Sequence, residues 1–180
     1  MAMNGANVMA IDISGGMCDL TRRAAEINGV TIDVRNISAV NTGLPDNEFD
    51  LVVGQVSLHH LPLKSAGLEL KRVLKPNGEA IFLEPIHSYK WFYKLRGILP
   101  LACLESPGGG ALRRDEIESL GQLFGKLEVT YFGFFERLRR LPFFRWASGA
   151  LYAMDSIVLR LPLMKKFASH ALITLTKTID

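Results

Sequence analysis

The chain of 180 residues is 48% hydrophobic and 22% charged, with a formal net charge of +3. This composition predicts one globular domain with a sizeable core, and the small net charge gives no reason to expect a nucleic-acid partner. The two cysteines, Cys18 and Cys103, stand far apart without a CxxC pair, so we expect neither a metal site nor a disulfide framework. No apolar stretch reaches the roughly 20 residues of a membrane-spanning helix, no signal peptide is visible, and we expect a reducing, cytoplasmic setting.

The first 37 residues alternate between strand and helix patterns. Residues 7–13 predict a strand that contains Asp12 near its end, and residues 30–37 predict a second strand. Between them, Ser14 is placed to cap a helix that stops at Asn28-Gly29. The apolar side chains of this helix recur at helical spacing and predict its core-facing side: Met17, Leu20, Ala24 and Ile27.

A third strand is predicted over residues 49–55, where a short apolar run follows an acidic turn. Such a run is typical of a strand that is buried on both faces of a parallel sheet. An apolar helical stripe over residues 64–74 ends at a Lys-Pro-Asn-Gly turn over 75–78, and a fourth strand follows over 79–83. This alternation predicts an α/β fold with a doubly wound, mostly parallel sheet.

The second half of the chain has a different character. We expect helices over residues 88–99 and 114–124, a flexible break at 107–110, strands over 127–132 and 171–176, and two short helices within 134–167. The segment 134–167 is both apolar and basic. Aromatic residues of this kind are more often part of a core, and basic residues more often form a solvated helix face. The alternative hypothesis is a lid over an apolar acceptor or a peripheral contact with a membrane surface.

Four sequence pieces follow one another in order: residues 8–14 (VMAIDIS), 44–52 (LPDNEFDLV), 58–61 (LHHL) and 71–78 (KRVLKPNG). Together they resemble class I S-adenosylmethionine-dependent methyltransferases, and within them the broad small-molecule group called type 11. The resemblance implies a Rossmann-like sheet of about six strands with helices on both faces. It also implies a single domain, with a cofactor half over residues 1–86 and an acceptor half over 87–180 that includes a variable insertion at 134–167.

The family begins with a strand and a glycine-rich turn that wraps the methionine portion of the cofactor. Here that motif would lie upstream of Met1, and the strand that goes with it is central in the family sheet, between the strands expected at 7–13 and 49–55. Its absence leaves two apolar strand edges without a partner. We therefore expect this sequence to be a fragment; the alternative is that the two flanking strands pair directly.

The resemblance assigns cofactor contacts to the ends of the first two strands. It implies that Asp12 accepts hydrogen bonds from the ribose hydroxyls, with Ile13 beside it, although an acid at this place can also serve only the helix dipole. Asn36 and Ile37 occupy the position at which family members usually carry an aspartate that contacts the adenine amine. Asparagine can accept that bond without the charge, and as a loop residue it can also be a simple turn former.

The resemblance places Gln55 and Val56 at the end of the third strand, in a loop that faces the cofactor. His59 and His60 follow and are weak candidates for a general base. Methyl transfer from a sulfonium depends mainly on proximity and orientation, so a base is needed only when the acceptor must lose a proton. A structural histidine at the start of a helix is the favoured interpretation of both.

The resemblance implies transfer of a methyl group from S-adenosylmethionine, with S-adenosylhomocysteine as product, to an unidentified acceptor that is small and, as a hypothesis, lipophilic. The competing hypothesis is a methyltransferase-like binding or scaffold protein, or an inactive fragment, that lacks the glycine-rich turn. A nicotinamide-dependent Rossmann enzyme is disfavoured because the pieces at 49–52 and 72–78 have no role in that group. The oligomeric state cannot be predicted from these patterns.

Overall fold

The computed structural model describes residues 1–86, 110–133, 148–161 and 163–178. The strands are β1 (Met9–Asp12), β2 (Asp33–Asn36), β3 (Phe49–Gln55), β4 (Leu74–Pro85), β5 (Gly125–Phe132) and β6 (His170–Lys177). The α-helices are α1 (Gly15–Ile27), α2 (Leu63–Val73), α3 (Arg114–Phe124) and α4 (Ser148–Val158). Short 3₁₀ turns lie at Ala2–Asn4, Leu58–His60 and Met164–Phe167. The predicted helix at 88–99 lies outside the described residues, as do residues 107–109 of the predicted break and residues 134–147 of the segment predicted to hold two short helices.

The larger sheet has the strand order β3-β4-β6-β5. β3 and β4 run parallel, whereas β6 runs antiparallel to both of its neighbours, β4 and β5. The expected α/β class with a Rossmann-like sheet is confirmed, although this sheet is mixed because its last strand is reversed. Helices α2 and α3 cover the sheet, and they approach closely because Gly67 has no side chain: a Cβ there would stand 2.8 Å from a methyl group of Leu120.

A separate two-stranded sheet is formed by β1 and β2, which run parallel. Helix α1 connects them, and the Ser14 hydroxyl accepts a hydrogen bond from the Met17 amide at 3.4 Å, as expected of its cap. Within the described residues, β1 does not pair with β3. The division falls at the predicted place of the missing central strand, so the alternative in which the flanking strands close the gap is wrong for this structure.

The unpaired edges leave apolar side chains exposed on both sides of the division. Met17, Leu20 and Ile27 of α1 are 50%, 58% and 79% exposed, so the stripe that was expected to face the core faces solvent instead. On β3, Val53 is 56% exposed, so the expectation that this strand is buried on both faces is also wrong. The common reason is that no described element covers these surfaces, and a helix or strand buries an apolar face only against another layer.

The hydrophobic core lies under the larger sheet. Its fully buried side chains come from the turn before α2, from β4, from α3 and from β6, and they include Leu58, Leu74, Phe124, Ile173 and Leu175. The residues of the predicted turn at 75–78 belong to β4, where they form a bulge in the pairing with β3. Leu74 pairs with Phe49 and Glu79 pairs with Leu51, so the intervening residues bulge opposite Asp50.

The other predicted elements are placed with small changes in their bounds. Helix α3 and strand β3 begin and end where they were expected, whereas β1 and β2 are each shorter than the predicted runs at 7–13 and 30–37. β5 and β6 are one or two residues longer than expected at their ends. Among the described helices, none is long and apolar enough to cross a membrane.

Candidate functional site

Asp12 and Asn36 stand side by side at the carboxyl ends of β1 and β2, where they are register partners. The Asn36 Nδ2 donates a hydrogen bond to the Asp12 carbonyl at 2.8 Å, which ties the two strand ends together. In parallel sheets, strand ends of this kind are the usual place for ligands. The structure therefore brings two of the predicted cofactor residues to one edge of the small sheet.

The polar atoms at this edge suit hydroxyl and amine donors. One carboxylate oxygen of Asp12 accepts from the Ser14 amide at 2.7 Å, and its other oxygen accepts from no group in the described part of the chain. The Asn36 side-chain oxygen is likewise not engaged by the described residues. Ile13, 76% exposed, and the half-buried Ile37 add apolar surface beside them. These features fit an adenosine group.

The end of β3 carries a strained backbone. Val56 has a φ angle of 53°, in the left-handed region that β-branched residues avoid. Its amide donates to the Leu83 carbonyl at 2.9 Å, which holds it at the end of β4. Gln55 and Val56 are both exposed, as expected of residues that face a ligand, but they belong to the larger sheet and Asp12 to the smaller one.

Glu84 is fully buried and joins the loop after β3 to the end of β4. Its Oε1 accepts hydrogen bonds from the Ser57 and Leu58 amides at 2.7 and 2.8 Å. Its Oε2 lies 2.7 Å from Nδ1 of His59, whose side chain is 2% exposed. His60 is exposed and its ring centroid lies 4.0 Å from that of His59. The two predicted histidines thus differ, since only His59 is held by a buried carboxylate.

A cavity of about 820 Å³ opens beside His59. Its walls come from the start of α2, the residues before α3 and one face of α3. Leu61, Leu63, Leu112 and Leu120 supply apolar surface, while Lys64 and Glu116 add charge. A volume of this size suits a small organic molecule.

A second polar cluster fastens the loop before β3 to α2. The Glu69 carboxylate accepts from the Thr42 amide at 2.8 Å and from the Thr42 hydroxyl at 2.5 Å. Arg72 pairs with Glu69 and also with Asp46. These bonds, with the Arg72 contact first, lower the pKa of Glu69 from 4.5 to about 2, and the two carboxylates raise the pKa of Arg72. This cluster positions the loop and lies outside the candidate site.

Sequence reasoning missed Glu84, although an acid at the carboxyl end of a predicted strand was a usable signal. Its partners are 25 to 27 positions earlier in the chain, and only the β3–β4 register brings them together. Among the described residues, no group of three His, Cys, Asp or Glu side chains is arranged to hold a metal ion. Cys18 is buried beside the same strand ends, with its Sγ 3.6 Å from the Asp12 carbonyl oxygen.

Comparisons with known proteins relate the first half of the chain to methyltransferases. Residues 1–82 match the model of a family described as a methyltransferase domain. Over 85 residues the chain is 36% identical to the uncharacterized protein YafE of Escherichia coli, which covers 46% of this chain and 41% of that protein. Over 88 residues it is 33% identical to the ubiquinone biosynthesis O-methyltransferase of Actinobacillus pleuropneumoniae, covering 46% of this chain and 38% of that enzyme. The chain thus spans about two fifths of the length of these relatives.

Among solved structures, the fold is similar to a SAM-dependent methyltransferase of Methanosarcina mazei, with a TM-score of 0.61 and 19% identity. The likeness covers 99% of this chain and 85% of that one. It extends the similarity of fold beyond residue 82, into the segment that the family model does not match. Residues 1–82 therefore match a methyltransferase-domain family, and the fold of the chain is similar to that of a solved S-adenosylmethionine-dependent methyltransferase.

Proposed function

We propose that the chain binds S-adenosylmethionine at the carboxyl ends of β1, β2 and β3 and transfers its methyl group to a small acceptor held in the cavity beside His59. The observation that carries this proposal is the pairing of Asp12 with Asn36, each with an oxygen left available at one strand edge. Asp12 would hold the ribose, Asn36 and Ile37 would receive the adenine, and Gln55 and Val56 would border the reacting end.

When bound, S-adenosylmethionine supplies an electrophilic methyl group on a sulfonium sulfur. The chain then has to bind the cofactor and the acceptor, orient them towards each other and exclude water, because in-line displacement is accelerated mainly by proximity. Leu61, Leu63 and Leu120 give the cavity an apolar wall, which supports an acceptor with a lipophilic body. The relative from Actinobacillus is named for O-methylation in ubiquinone biosynthesis, and this name supports the same general class of acceptor.

Calorimetric titration with S-adenosylhomocysteine tests the proposal. We expect the chain to bind it, and Asp12→Ala to weaken binding by about tenfold or more, because hydrogen bonds to a charged group are worth about 1.5–3 kcal/mol. Asp19→Ala is the matched control, since Asp19 is an exposed acid of α1 whose side-chain partner is Arg22. Absence of binding, or equal losses in the two variants, would contradict the proposed site.

The alternative is a methyltransferase-like binding or scaffold protein. In the described part of the chain, β1 and β3 each have one edge without a neighbouring strand, and this favours the alternative because the proposed cofactor site is divided between two sheets. Under this hypothesis the chain stays folded, as judged by a cooperative thermal transition, and fails to bind S-adenosylhomocysteine at millimolar concentration. The same titration therefore separates the two functions.

We further propose a peripheral contact with an anionic membrane surface through α4 and the residues that follow it. Met154, Ile157, Leu161 and Leu163 are 46–64% exposed, and the exposed Arg160 lies among them. An apolar surface with a basic side chain suits the boundary between lipid headgroups and acyl chains. With such a contact, a lipophilic acceptor dissolved in the membrane could enter the protein directly from the lipid.

A further inference from the structure

We propose that Arg114 and Lys165, which converge on the ring of Tyr131, form a binding site for the phosphate group of a phospholipid headgroup. The inference rests on the proposed function, because it names the lipid group that the membrane contact would recognise. The site suits a phosphate monoester best, since such a group carries more than one negative charge near neutral pH and offers several strong acceptor oxygens.

Three elements around the larger sheet bring these side chains together. Arg114 is the first residue of α3, Tyr131 lies near the end of β5, and Lys165 belongs to the 3₁₀ turn before β6. The Arg114 guanidinium carbon lies 4.8 Å from the centroid of the Tyr131 ring, and the Lys165 Nζ lies 6.0 Å from the same centroid. The guanidinium also donates a hydrogen bond to the Lys165 carbonyl oxygen. Both cations are half-buried, so they are held at this place by the fold.

The cluster is rich in hydrogen-bond donors and poor in acceptors. Within the described part of the chain, neither Arg114 nor Lys165 forms an ion pair, and the Lys165 carbonyl is the only acceptor that their charged groups reach. Two like charges beside one ring repel each other, and the attraction of each to the ring face offsets this only in part. An anion between them would remove the repulsion and accept the remaining N–H groups of the guanidinium and the ammonium.

The acids at the start of α3 do not supply this anion. Asp115 pairs with Arg113, and Glu116 accepts a hydrogen bond from the Arg113 amide at 2.8 Å. Both carboxylates are thus engaged by the residue before Arg114 and form no bond with Arg114 itself. The two cations at Tyr131 therefore need an anion from outside the described residues.

The position of the cluster favours a lipid as the source of the phosphate. Leu161 and Leu163 are 59% and 61% exposed. The Leu161 carbonyl accepts from the Lys165 amide at 3.2 Å, so the exposed apolar surface continues directly into the turn that carries Lys165. At a membrane, apolar side chains enter the acyl boundary while cations stay at the level of the headgroups. A phosphate that is joined to acyl chains satisfies both parts of this surface, whereas a soluble phosphate ester satisfies only the cations.

Sedimentation with vesicles tests the site. The vesicles contain phosphatidylcholine with either phosphatidic acid, a phosphate monoester, or phosphatidylglycerol, a diester, at matched surface charge. We expect the native chain to prefer phosphatidic acid by at least about fivefold, and Arg114→Gln and Lys165→Gln each to remove most of this preference. Lys126→Gln is the matched control, because it removes one positive charge from the strand of Tyr131 at a side chain that pairs with Glu128. Equal binding of the native chain to both kinds of vesicle, or equal losses in Lys126→Gln and Lys165→Gln, would overturn the site.

The source of the phosphate is tested with glycerol 3-phosphate, which is the headgroup of phosphatidic acid without its acyl chains. Its binding is followed by the side-chain Nε–H resonance of Arg114 in ¹H–¹⁵N spectra of the native chain, so this measurement does not depend on the folding of a variant. We expect glycerol 3-phosphate to shift the resonance, with an affinity at least about tenfold weaker than that for phosphatidic acid vesicles, and glycerol to leave it in place. The absence of a shift would overturn the phosphate assignment, and an affinity equal to that for the vesicles would overturn the lipid assignment.

These outcomes are distinguishable from a failure of the proposed function. None of the measurements requires S-adenosylmethionine, whose site the S-adenosylhomocysteine titration reports. A native chain that sediments equally with phosphatidic acid and phosphatidylglycerol vesicles keeps the membrane contact and loses only the phosphate site at Tyr131.

Discussion

Arg72 holds Glu69, one helical turn before it on α2, by two hydrogen bonds: Nε to Oε2 at 2.9 Å and Nη2 to Oε1 at 2.8 Å. The Glu69 side chain is only 11% exposed, so solvent screens this pair weakly. Through Thr42 and Asp46 the same pair anchors the loop that leads into β3. The acid therefore contributes to the stability of the element that carries Gln55 and Val56.

This pair predicts a defined pH dependence of stability. The folded pKa of Glu69 is lowered from 4.5 to about 2, so its contribution is fully present above pH 4.5 and is lost as the pH falls towards 2. We expect Glu69→Gln to reduce the free energy of unfolding at pH 7 by on the order of 2 kcal/mol, and to flatten its decline over the acidic range. Urea unfolding at several pH values measures both effects.

The control for this prediction is Glu118→Gln, because Glu118 is an exposed acid on α3 without a side-chain partner among the described residues. Glu118→Gln should leave the free energy of unfolding at pH 7, and its decline at acidic pH, as in the native chain. If Glu69→Gln does not change the decline of the unfolding free energy at acidic pH, other carboxylates govern the loss of stability.

The left-handed backbone of Val56 predicts a substitution that stabilises the fold. A strained residue of this kind costs roughly 1–3 kcal/mol, whereas glycine adopts the conformation freely and loses about 0.5–1 kcal/mol through the entropy of the unfolded chain. We therefore expect Val56→Gly to raise the free energy of unfolding by about 1 kcal/mol. If the strain shapes the cofactor edge, the same variant should bind S-adenosylhomocysteine more weakly despite its greater stability.

Val53→Gly is the matched control, since Val53 is also an exposed valine of the same segment but has no positive φ. Glycine inside a strand is unfavourable, so this variant should lose about 0.5–1 kcal/mol. Thermal or urea unfolding compares the two. A loss of stability in both variants would contradict the interpretation of Val56 as strained.

The division between the two sheets predicts unequal protection of backbone amides. β4 is paired on both sides, whereas the described part of the chain gives β1 only β2 as a partner. Local opening should therefore cost less at β1 and β2 than at β4 and β6. Hydrogen–deuterium exchange followed by mass spectrometry should show peptides from residues 9–12 and 33–36 exchanging at least about tenfold faster than those from 74–85 and 170–177. Equal rates would mean that the two sheets open as one cooperative unit.

Some elements of the fold could be predicted from local patterns alone. The predicted bounds of β3 and α3 agree with the observed ones, because an apolar run between turn residues marks the strand, and an amphipathic stripe with acids in its first turns marks the helix. The side of α1 that is exposed could not be predicted in the same way. Its stripe is apolar, and whether Met17 and Leu20 are buried depends on a neighbouring layer that its own sequence does not specify.

Some residues of the candidate site could likewise be predicted from local sequence patterns, and others could not. Asp12 and Asn36 could be named because each ends a predicted strand, and the register of β1 with β2 then places them together. The pairing of His59 with Glu84 could not be named, because it depends on the β3–β4 register and on the turn at Leu58–His60. A residue at the end of one strand can thus be predicted from the sequence. A contact between residues at the ends of two strands can be predicted only when the pairing and register of those strands are known.

The exposed apolar surface after residue 153 predicts measurable membrane binding. Ile157 and Leu161 are 64% and 59% exposed, and burying one such side chain contributes roughly 1.5–3 kcal/mol. We expect the chain to sediment with vesicles of phosphatidylcholine and phosphatidylglycerol in equal parts. The double variant Ile157→Glu, Leu161→Glu should bind them at least about tenfold more weakly, because 1.4 kcal/mol corresponds to a factor of ten.

The control must add negative charge without touching this surface. Gln122→Glu does so at an exposed position of α3, and it should bind vesicles nearly as well as the native chain. Vesicles of phosphatidylcholine alone separate the apolar contribution from the attraction of Arg160 to anionic lipid. If the native chain does not sediment with either kind of vesicle, or if Gln122→Glu weakens binding as much as the double variant, the surface around Ile157 is not a membrane contact.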